Sequence, residues 1–250
     1  MDDQNLDAIQ ELTKKERREL KRQQKKEERA REQRKSSTMR FFAWALILVL
    51  IGGSIWAVLQ FVANSGTDVS NVTPQEVTAD DWITGNANSS VTLLEYGDFE
   101  CPACASYHPV LQTLKSEYGD RVAFAYRHFP LSIHPRADET ARAAEAAGNQ
   151  GTFWEMHDML FERQSAWSKG GNIDDILAGY AEELGLNEDQ FRADYNSDEV
   201  KGRVEADERA GRAAGVPGTP TFFLNGQAID SPGNAEEFRN LLNAALNEGA

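Results

Sequence analysis

Twenty-two consecutive residues, 41–62, carry no charged side chain, and this run divides the chain into three chemically different parts. As a helix rising about 1.5 Å per residue, the run would be about 33 Å long, which is enough to cross a hydrocarbon core of about 30 Å. A secretory signal has a shorter apolar region, a short leader and a small-residue cleavage site after it. Here 40 residues precede the run and no such site follows. The pattern predicts an uncleaved, single-pass signal anchor.

The charges that flank this run predict its orientation. Residues 1–40 contain 13 Lys and Arg and 9 Asp and Glu, whereas residues 63–80 carry acidic charges and no basic ones. The positive-inside rule therefore puts residues 1–40 in the cytoplasm and residues 63–250 outside the cell membrane. The tail has too few apolar side chains for a core helix or a coiled coil, so we expect it to be solvated and partly helical or disordered. Binding to anionic lipid headgroups or RNA is the alternative for the tail.

The outer part of the chain divides into a tether and one folded domain. Residues 63–80 are small and polar and include Pro74, which predicts a linker, with the domain beginning near Asp81 and extending to residue 250. About 170 residues are ample for one hydrophobic core. The net charge of −18 over residues 63–250 argues against nucleic acid and other anionic ligands.

Periodicity within the domain predicts an α/β fold. A strand at 91–96, an amphipathic helix from Cys101 to Tyr118 and a strand at 122–129 form a βαβ unit, which implies a parallel pair of strands. A block of helices follows, over about 134–214. The remaining predicted elements are a hairpin across Asn225-Gly226, where the sequence suits a type I′ turn, and a last helix that opens at Asn234.

Both cysteines of the chain lie in one motif, Cys101-Pro102-Ala103-Cys104, between the first strand and its helix. Cys101 is expected at the N-cap and Pro102 at the first helical position, where a missing N–H costs nothing. Free backbone N–H groups and the helix dipole favour a thiolate at Cys101, whereas Cys104 falls at the edge of the buried face. The motif predicts that Cys101 attacks and Cys104 resolves.

Three other interpretations of the motif are weaker. A structural disulfide across so small a ring would constrain little of the unfolded chain. A zinc site needs more ligands, and the four histidines, at 108, 128, 134 and 157, have no finger-like spacing, so no metal is predicted. Two inert buried thiols are unexpected outside the cytosol. We expect His157 to be a packed core residue and the other three histidines to be structural or exposed.

The domain resembles DsbA-like thiol-disulfide oxidoreductases of the thioredoxin superfamily, in particular their membrane-anchored bacterial branch. The resemblance covers about residues 83–248, and four segments carry it: 91–104, 126–131, 153–158 and 218–226. It implies a thioredoxin fold with a helical insertion between the βαβ and ββα halves, preceded here by one transmembrane helix. It implies no cofactor.

The same resemblance implies roles for five residues. Cys101 would be the nucleophile, Cys104 the resolving thiol, and Pro220 a cis-proline that faces them. The backbone of Thr219 would pair with an extended substrate segment. Glu95 would move protons to and from Cys104, because an apolar setting raises the pKa of a carboxyl group. The alternative for Glu95 is an acid satisfied by a neighbouring polar group.

Two departures from the family bear on the direction of the reaction. The residues between the cysteines are Pro-Ala rather than the Pro-His of DsbA, and Glu100 precedes Cys101. We expect an oxidase of reduced or unfolded secreted proteins that is re-oxidised by a quinone-linked membrane protein. A reductase or isomerase of the same fold, and a tethered peptide-binding module without catalytic activity, are the alternatives.

Overall fold

The computed structural model describes residue 73 and residues 75–248. The predicted tail at 1–40, the predicted anchor at 41–62 and most of the predicted linker lie outside the described residues. Within them, no helix has both the length and the apolar character needed to cross a membrane.

The described residues form five strands and eight helices. The strands are β1 (Trp82–Gly85), β2 (Thr92–Gly97), β3 (Ala123–His128), β4 (Thr221–Leu224) and β5 (Gln227–Ile229). The helices are α1 (Pro102–Tyr118), α2 (Ala137–Gly148), α3 (Phe153–Glu162), α4 (Gln164–Trp167), α5 (Ile173–Glu183), α6 (Glu188–Tyr195), α7 (Asp198–Ala214) and α8 (Ala235–Glu248). The predicted order of a βαβ unit, a helical block and a ββα unit is confirmed, while β1 and the short α4 are additions to it.

The five strands form one mixed sheet in the order β1-β3-β2-β4-β5. Strands β2 and β3 are parallel, as the βαβ pattern predicts, and the other neighbours are antiparallel. The hairpin between β4 and β5 turns at Asn225 and Gly226, whose φ angles of 50° and 80° are the left-handed values that a type I′ turn requires. Strand β2 is therefore the central strand, and the loop that follows it lies at the middle of the sheet, at the end where β2 stops.

Helices cover both faces of this sheet because successive side chains of a strand point to opposite faces. On one face Leu93 and Phe222 pack with residues of α1 and α8, among them Leu114 and Phe238. On the other face the buried sheet residues Leu94, Tyr96, Ala125 and Phe223 pack against Ala214 at the end of α7 and Val216 just after it.

The helical insertion shares a core with the loop that carries the cysteines. Phe99 and Cys104 belong to the same buried cluster as apolar residues of α2, α3, α5 and α6. Trp167 of α4 is fully buried in this cluster, and its indole N–H donates to the carbonyl oxygen of Leu160. The start of α1 is thus held between the sheet and the insertion.

The folded domain takes in residues that precede its predicted start near Asp81. The backbone N–H of Thr73 donates to the carbonyl oxygen of Ala214 at 2.7 Å, and that of Gln75 to Gly226 at 2.7 Å. Val77 packs against the sheet. Small polar composition suggested a tether here, but backbone hydrogen bonds do not depend on side-chain type, so the composition of this segment was a poor guide.

Candidate active site

The loop between β2 and α1 is fixed by a buried carboxylate. Asp98 accepts the backbone N–H groups of Glu100 at 2.8 Å and Leu131 at 2.9 Å, and its second oxygen lies 2.7 Å from Nδ1 of His134. Cys101 then occupies the N-cap of α1 in an extended conformation, and Pro102 begins the helix, as predicted. The loop geometry therefore directs Cys101 to the exposed N–H groups of the first turn.

Cys101 has the environment of a stabilised thiolate. Hydrogen bonding from the Cys104 thiol is the largest cause that lowers the pKa of Cys101, against the opposing effect of burial, and the result is a pKa of about 6. Hydrogen bonds from Thr219 and from the backbone of Cys104 and Ala103 add to this stabilisation. Sequence reasoning named the backbone N–H groups but missed the neighbouring thiol, which is the larger contribution.

Cys104 has the opposite character. Its side chain is 1% exposed, and burial raises its pKa well above the ordinary value. Two further effects raise this pKa: the Cys104 thiol donates a hydrogen bond to Cys101, and the negative charge of Glu95 lies nearby. Both cysteines are free thiols in this structure. The two sulfurs therefore differ in acidity in the direction that the motif predicts.

The segment before β4 completes the site opposite the cysteines. The peptide bond between Thr219 and Pro220 is cis. The carbonyl oxygen of Thr219 lies 3.3 Å from Sγ of Cys101, within reach of its S–H group. The Thr219 hydroxyl oxygen is buried and has no partner among the described residues other than Cys101, so its proton can turn to the thiolate and stabilise it. Three of the predicted site residues, Cys101, Thr219 and Pro220, thus lie together.

Glu95 lies beneath the cysteines on the face of β2 that α1 covers. It is 6% exposed, and burial is the main reason that its pKa rises to about 8, while Lys115 lowers it and Cys101 raises it. Its Oε1 has no hydrogen-bond partner in the described part of the chain. The apolar setting predicted for Glu95 is present, together with a charged neighbour, Lys115, that sequence reasoning missed.

The fold and this geometry agree with a comparison across known families. A family model described as Thioredoxin matches residues 77–244, about two thirds of the chain. The chain belongs to the thioredoxin family. A curated relative, the Na(+)/H(+) antiporter NhaA 3 of Salinispora tropica, is 41% identical over 157 residues, which is 62% of this chain and 23% of that protein. The chain thus spans about a quarter of the length of the curated relatives it matches.

Two solved structures place the thioredoxin-family domain in a narrower fold group. Oxidised BdbD from Bacillus subtilis matches with a TM-score of 0.63 and 20% identity, over 71% of this chain and 98% of that one. The alpha-DsbA1 protein of Wolbachia pipientis matches with a TM-score of 0.61 and 19% identity, over 69% and 94%. At these identities the likeness is one of fold, and it confirms a DsbA-like thioredoxin fold.

Two further residues position the thioredoxin-family motif. The amide of Gln164 donates to the carbonyl oxygens of Phe99 at 2.7 Å and Cys101 at 3.0 Å, and so ties the insertion to the loop. Glu100 accepts the backbone N–H of Arg136 at 2.6 Å, so its carboxylate faces the start of α2. Nothing in the local sequence around Gln164 signals its contact with a loop 63 residues away.

The four histidines are all held by the fold. His128 is buried with its Nε2 2.9 Å from Glu145, and His134 pairs with Asp98. His157 is 1% exposed and packs among aromatic rings, as predicted for a core histidine. His108 is also buried, and its ring centroid lies 5.7 Å from that of His157. Sequence spacing separates these last two residues, and the packing of α1 on α3 brings them together.

Proposed function

We propose that this domain is a thiol-disulfide oxidoreductase that oxidises the thiols of other proteins. The observation that carries the proposal is the difference between the two cysteines: the pKa of Cys101 is lowered to about 6, and that of Cys104 is raised well above its ordinary value. A low thiol pKa makes a sulfur both a ready attacking group and a good leaving group. Catalysis of thiol exchange needs one such sulfur and a second that resolves it.

The proposed reaction begins with the Cys101–Cys104 disulfide. A substrate thiolate attacks Sγ of Cys101, a substrate–Cys101 bond forms, and the bond between the two cysteines breaks. Cys104 leaves with the electron pair and takes a proton, for which the neutral carboxyl of Glu95 is the donor. A second substrate thiolate then attacks the substrate sulfur, and Cys101 leaves as a thiolate. The substrate loses two electrons and the dithiol gains them.

The acidity of Cys101 supports the oxidising direction. A stabilised thiolate favours the reduced form of the dithiol and thereby makes its disulfide a stronger oxidant. A pKa of about 6 lies between the roughly 7 of thioredoxin and the roughly 3.5 of DsbA. We therefore expect a reduction potential above about −250 mV and below the roughly −120 mV of DsbA.

A groove next to the cis-proline suits unfolded substrates. It has a volume of about 500 Å³. Its lining includes Phe129, Leu131, Ile133, Val216 and Gly218. The side chain of Ile133 is 78% exposed, so it offers apolar surface to a bound segment at this groove. Apolar segments of reduced secreted proteins, extended along Thr219, are the class of substrate that we propose.

The remaining parts of the proposal rest on the sequence. The apolar run at 41–62 and its basic flank support a single-pass anchor with the domain on the extracytoplasmic side. Oxidising conditions there suit a dithiol catalyst. A quinone-linked membrane protein would accept the two electrons that each turnover leaves on the dithiol.

Oxidation of reduced, unfolded ribonuclease by the full-length protein, next to reduction of insulin, tests the proposal. We expect ribonuclease oxidation that is lost in Cys101→Ala. An unchanged rate in Cys101→Ala would overturn the mechanism. A reduction potential below about −250 mV, close to that of thioredoxin, would overturn the oxidising direction and favour the reductase.

A further inference from the structure

Three side chains outside the cysteine motif converge where α1 packs on α3. Asp158 Oδ1 lies 2.8 Å from Nδ1 of His157 and 4.0 Å from Nδ1 of His108. One potential ligand atom from each of the three residues lies within 4.8 Å of the others. His108 and His157 are 5% and 1% exposed, and the Asp158 side chain is 33% exposed. The cluster is therefore buried on the histidine side and open to solvent at its carboxylate.

The three side chains have the protonation states in which histidine and aspartate bind metal ions. Burial lowers the pKa of His108, and it lowers that of His157 to about 3, so both rings are neutral at physiological pH. Burial is the largest single effect on Asp158 and would raise its pKa, but the hydrogen bonds from His157 and Gln112 and the charge of Lys115 together outweigh it, so the pKa is lowered and the carboxylate is ionised. Neutral imidazole and carboxylate are the forms in which these side chains bind metals.

The hydrogen bonding of the two rings is incomplete. Nδ1 of His108 and Nε2 of His157 are both buried without a hydrogen-bond partner among the described residues. In neutral His157 the proton sits on either Nδ1 or Nε2, and Nε2 has no hydrogen-bond partner among the described residues in either case. Moving the proton to Nε2, which frees Nδ1 to bind an ion, therefore breaks no hydrogen bond at Nε2. For His108, Nε2 lies 3.5 Å from the amide of Gln112, which can present its oxygen after an amide flip.

We propose that His108, His157 and Asp158 bind a divalent transition-metal ion of the zinc class, which links the cysteine-bearing helix α1 to α3. Ligand atoms around tetrahedral zinc, with bonds of about 2.0–2.1 Å, lie about 3.3 Å apart. Small side-chain movements bring the observed 2.8 and 4.0 Å to that value. Three protein ligands leave a fourth position for water on the exposed side of Asp158.

Lys115 is the group that would oppose the ion. Its ammonium interacts electrostatically with Asp158 and His157 and lies 4.1 Å from the ring centroid of Trp154. A divalent ion would take the place of this charge as the partner of Asp158. Removal of the ammonium in Lys115→Met should therefore tighten metal binding several-fold.

Calorimetric titration of the full-length, disulfide-oxidised protein with Zn²⁺ tests the site, and Co²⁺ absorption reports the coordination geometry. The oxidised form is used because a free Cys101–Cys104 dithiol would itself bind zinc. We expect one bound ion per chain. His108→Gln and Asp158→Asn should each weaken binding more than tenfold, because even the outer partners of metal ligands are worth about 10- to 100-fold. His134→Gln, which changes a partly exposed histidine paired with Asp98 elsewhere in the fold, should bind zinc as the wild type does.

Each outcome of the titration decides for or against the site. Circular dichroism of every variant establishes that it is folded, and Asp158→Asn, the least buried change, keeps the test valid if His108→Gln unfolds. The absence of binding by the folded, oxidised wild type would overturn the proposal. Binding that survives in folded His108→Gln and Asp158→Asn would place the ion elsewhere and overturn it as well.

Discussion

The Sγ atom of Cys101 lies 3.3 Å from the carbonyl oxygen of Thr219, although 118 positions separate the two residues in the chain. This contact joins the first turn of α1 to the segment that enters β4. Cys101 follows the end of β2 and Thr219 precedes the start of β4, and these two strands are antiparallel neighbours, so both residues lie at the same edge of the sheet. The sheet register thus fixes the reactive sulfur next to the backbone that is proposed to receive substrate.

The acidity of Cys101 should depend on its partner thiol. In Cys104→Ala the largest contribution to the lowered pKa is lost, so we expect the pKa of Cys101 to rise from about 6 toward the ordinary 9.0. Cys104→Ser keeps a donor and should have an intermediate effect. The pH dependence of alkylation by iodoacetamide measures each midpoint. Equal midpoints in the wild type and Cys104→Ala would contradict this account of the thiolate.

The hydroxyl of Thr219 should also tune the dithiol. Thr219→Val keeps the shape of the side chain and removes the hydroxyl that can donate to the Cys101 thiolate. A hydrogen bond to a charged group is worth about 1.5–3 kcal/mol, so the reduction potential should fall by about 30 mV or more. Equilibration with glutathione measures the change. Thr219→Ser, which retains the hydroxyl, is the control and should stay near the wild-type potential.

Two glycines of α7 should respond differently to the same substitution. A Cβ atom at Gly211 would lie 2.6 Å from the ring of Phe129, whereas a Cβ at Gly202 would meet nothing within 4 Å. Gly211→Ala should therefore lower the free energy of unfolding by about 1–3 kcal/mol through overpacking. Gly202→Ala should raise it by up to about 1 kcal/mol, because alanine is the better helix former. Urea denaturation of both variants checks the pair.

The sequence predicted those parts of the fold that depend on local patterns. The extent of α1, the start of the last helix near Asn234 and the hairpin at Asn225-Gly226 follow from apolar periodicity, capping residues and turn chemistry, and they agree with the structure to within a residue or two. The position of Cys101 at the N-cap of α1 follows in the same way. Each of these features is set by residues close in sequence. The edge strand β1 escaped detection because four half-exposed residues are too few to establish a period.

The site was less predictable where distant segments meet. Lys115 falls one residue after Leu114 on the apolar side of α1, but its electrostatic interaction with Glu95 depends on how α1 packs on the sheet. The cluster of His108 and His157 joins residues 49 positions apart through the contact of α1 with α3. Spacing along the chain carries no information about such contacts, which explains why the sequence did not point to the proposed metal site.

Burial of Glu95 should make the stability of the oxidised protein depend on pH. A carboxyl whose pKa rises from 4.5 to about 8 on folding holds its proton in the folded state and loses it in the unfolded chain across that range. The contribution of Glu95 to the free energy of unfolding should therefore be greatest below about pH 4.5. It should fall as the pH rises to about 8, by a few kcal/mol at most. Glu95→Gln should remove this decline and stabilise the oxidised protein at pH 8.

Urea denaturation at several pH values between 5 and 8 measures the decline, and the oxidised form is chosen because the Cys101 thiolate is then absent. Its ionisation in the reduced form would add stability with rising pH, above about 6, and would partly mask the effect of Glu95. Glu155→Gln, the same change at an exposed position of α3, should leave the pH profile as it is in the wild type. A Glu95→Gln profile that coincides with the wild type would mean that Glu95 ionises normally, and Glu95 would then be no proton donor to Cys104.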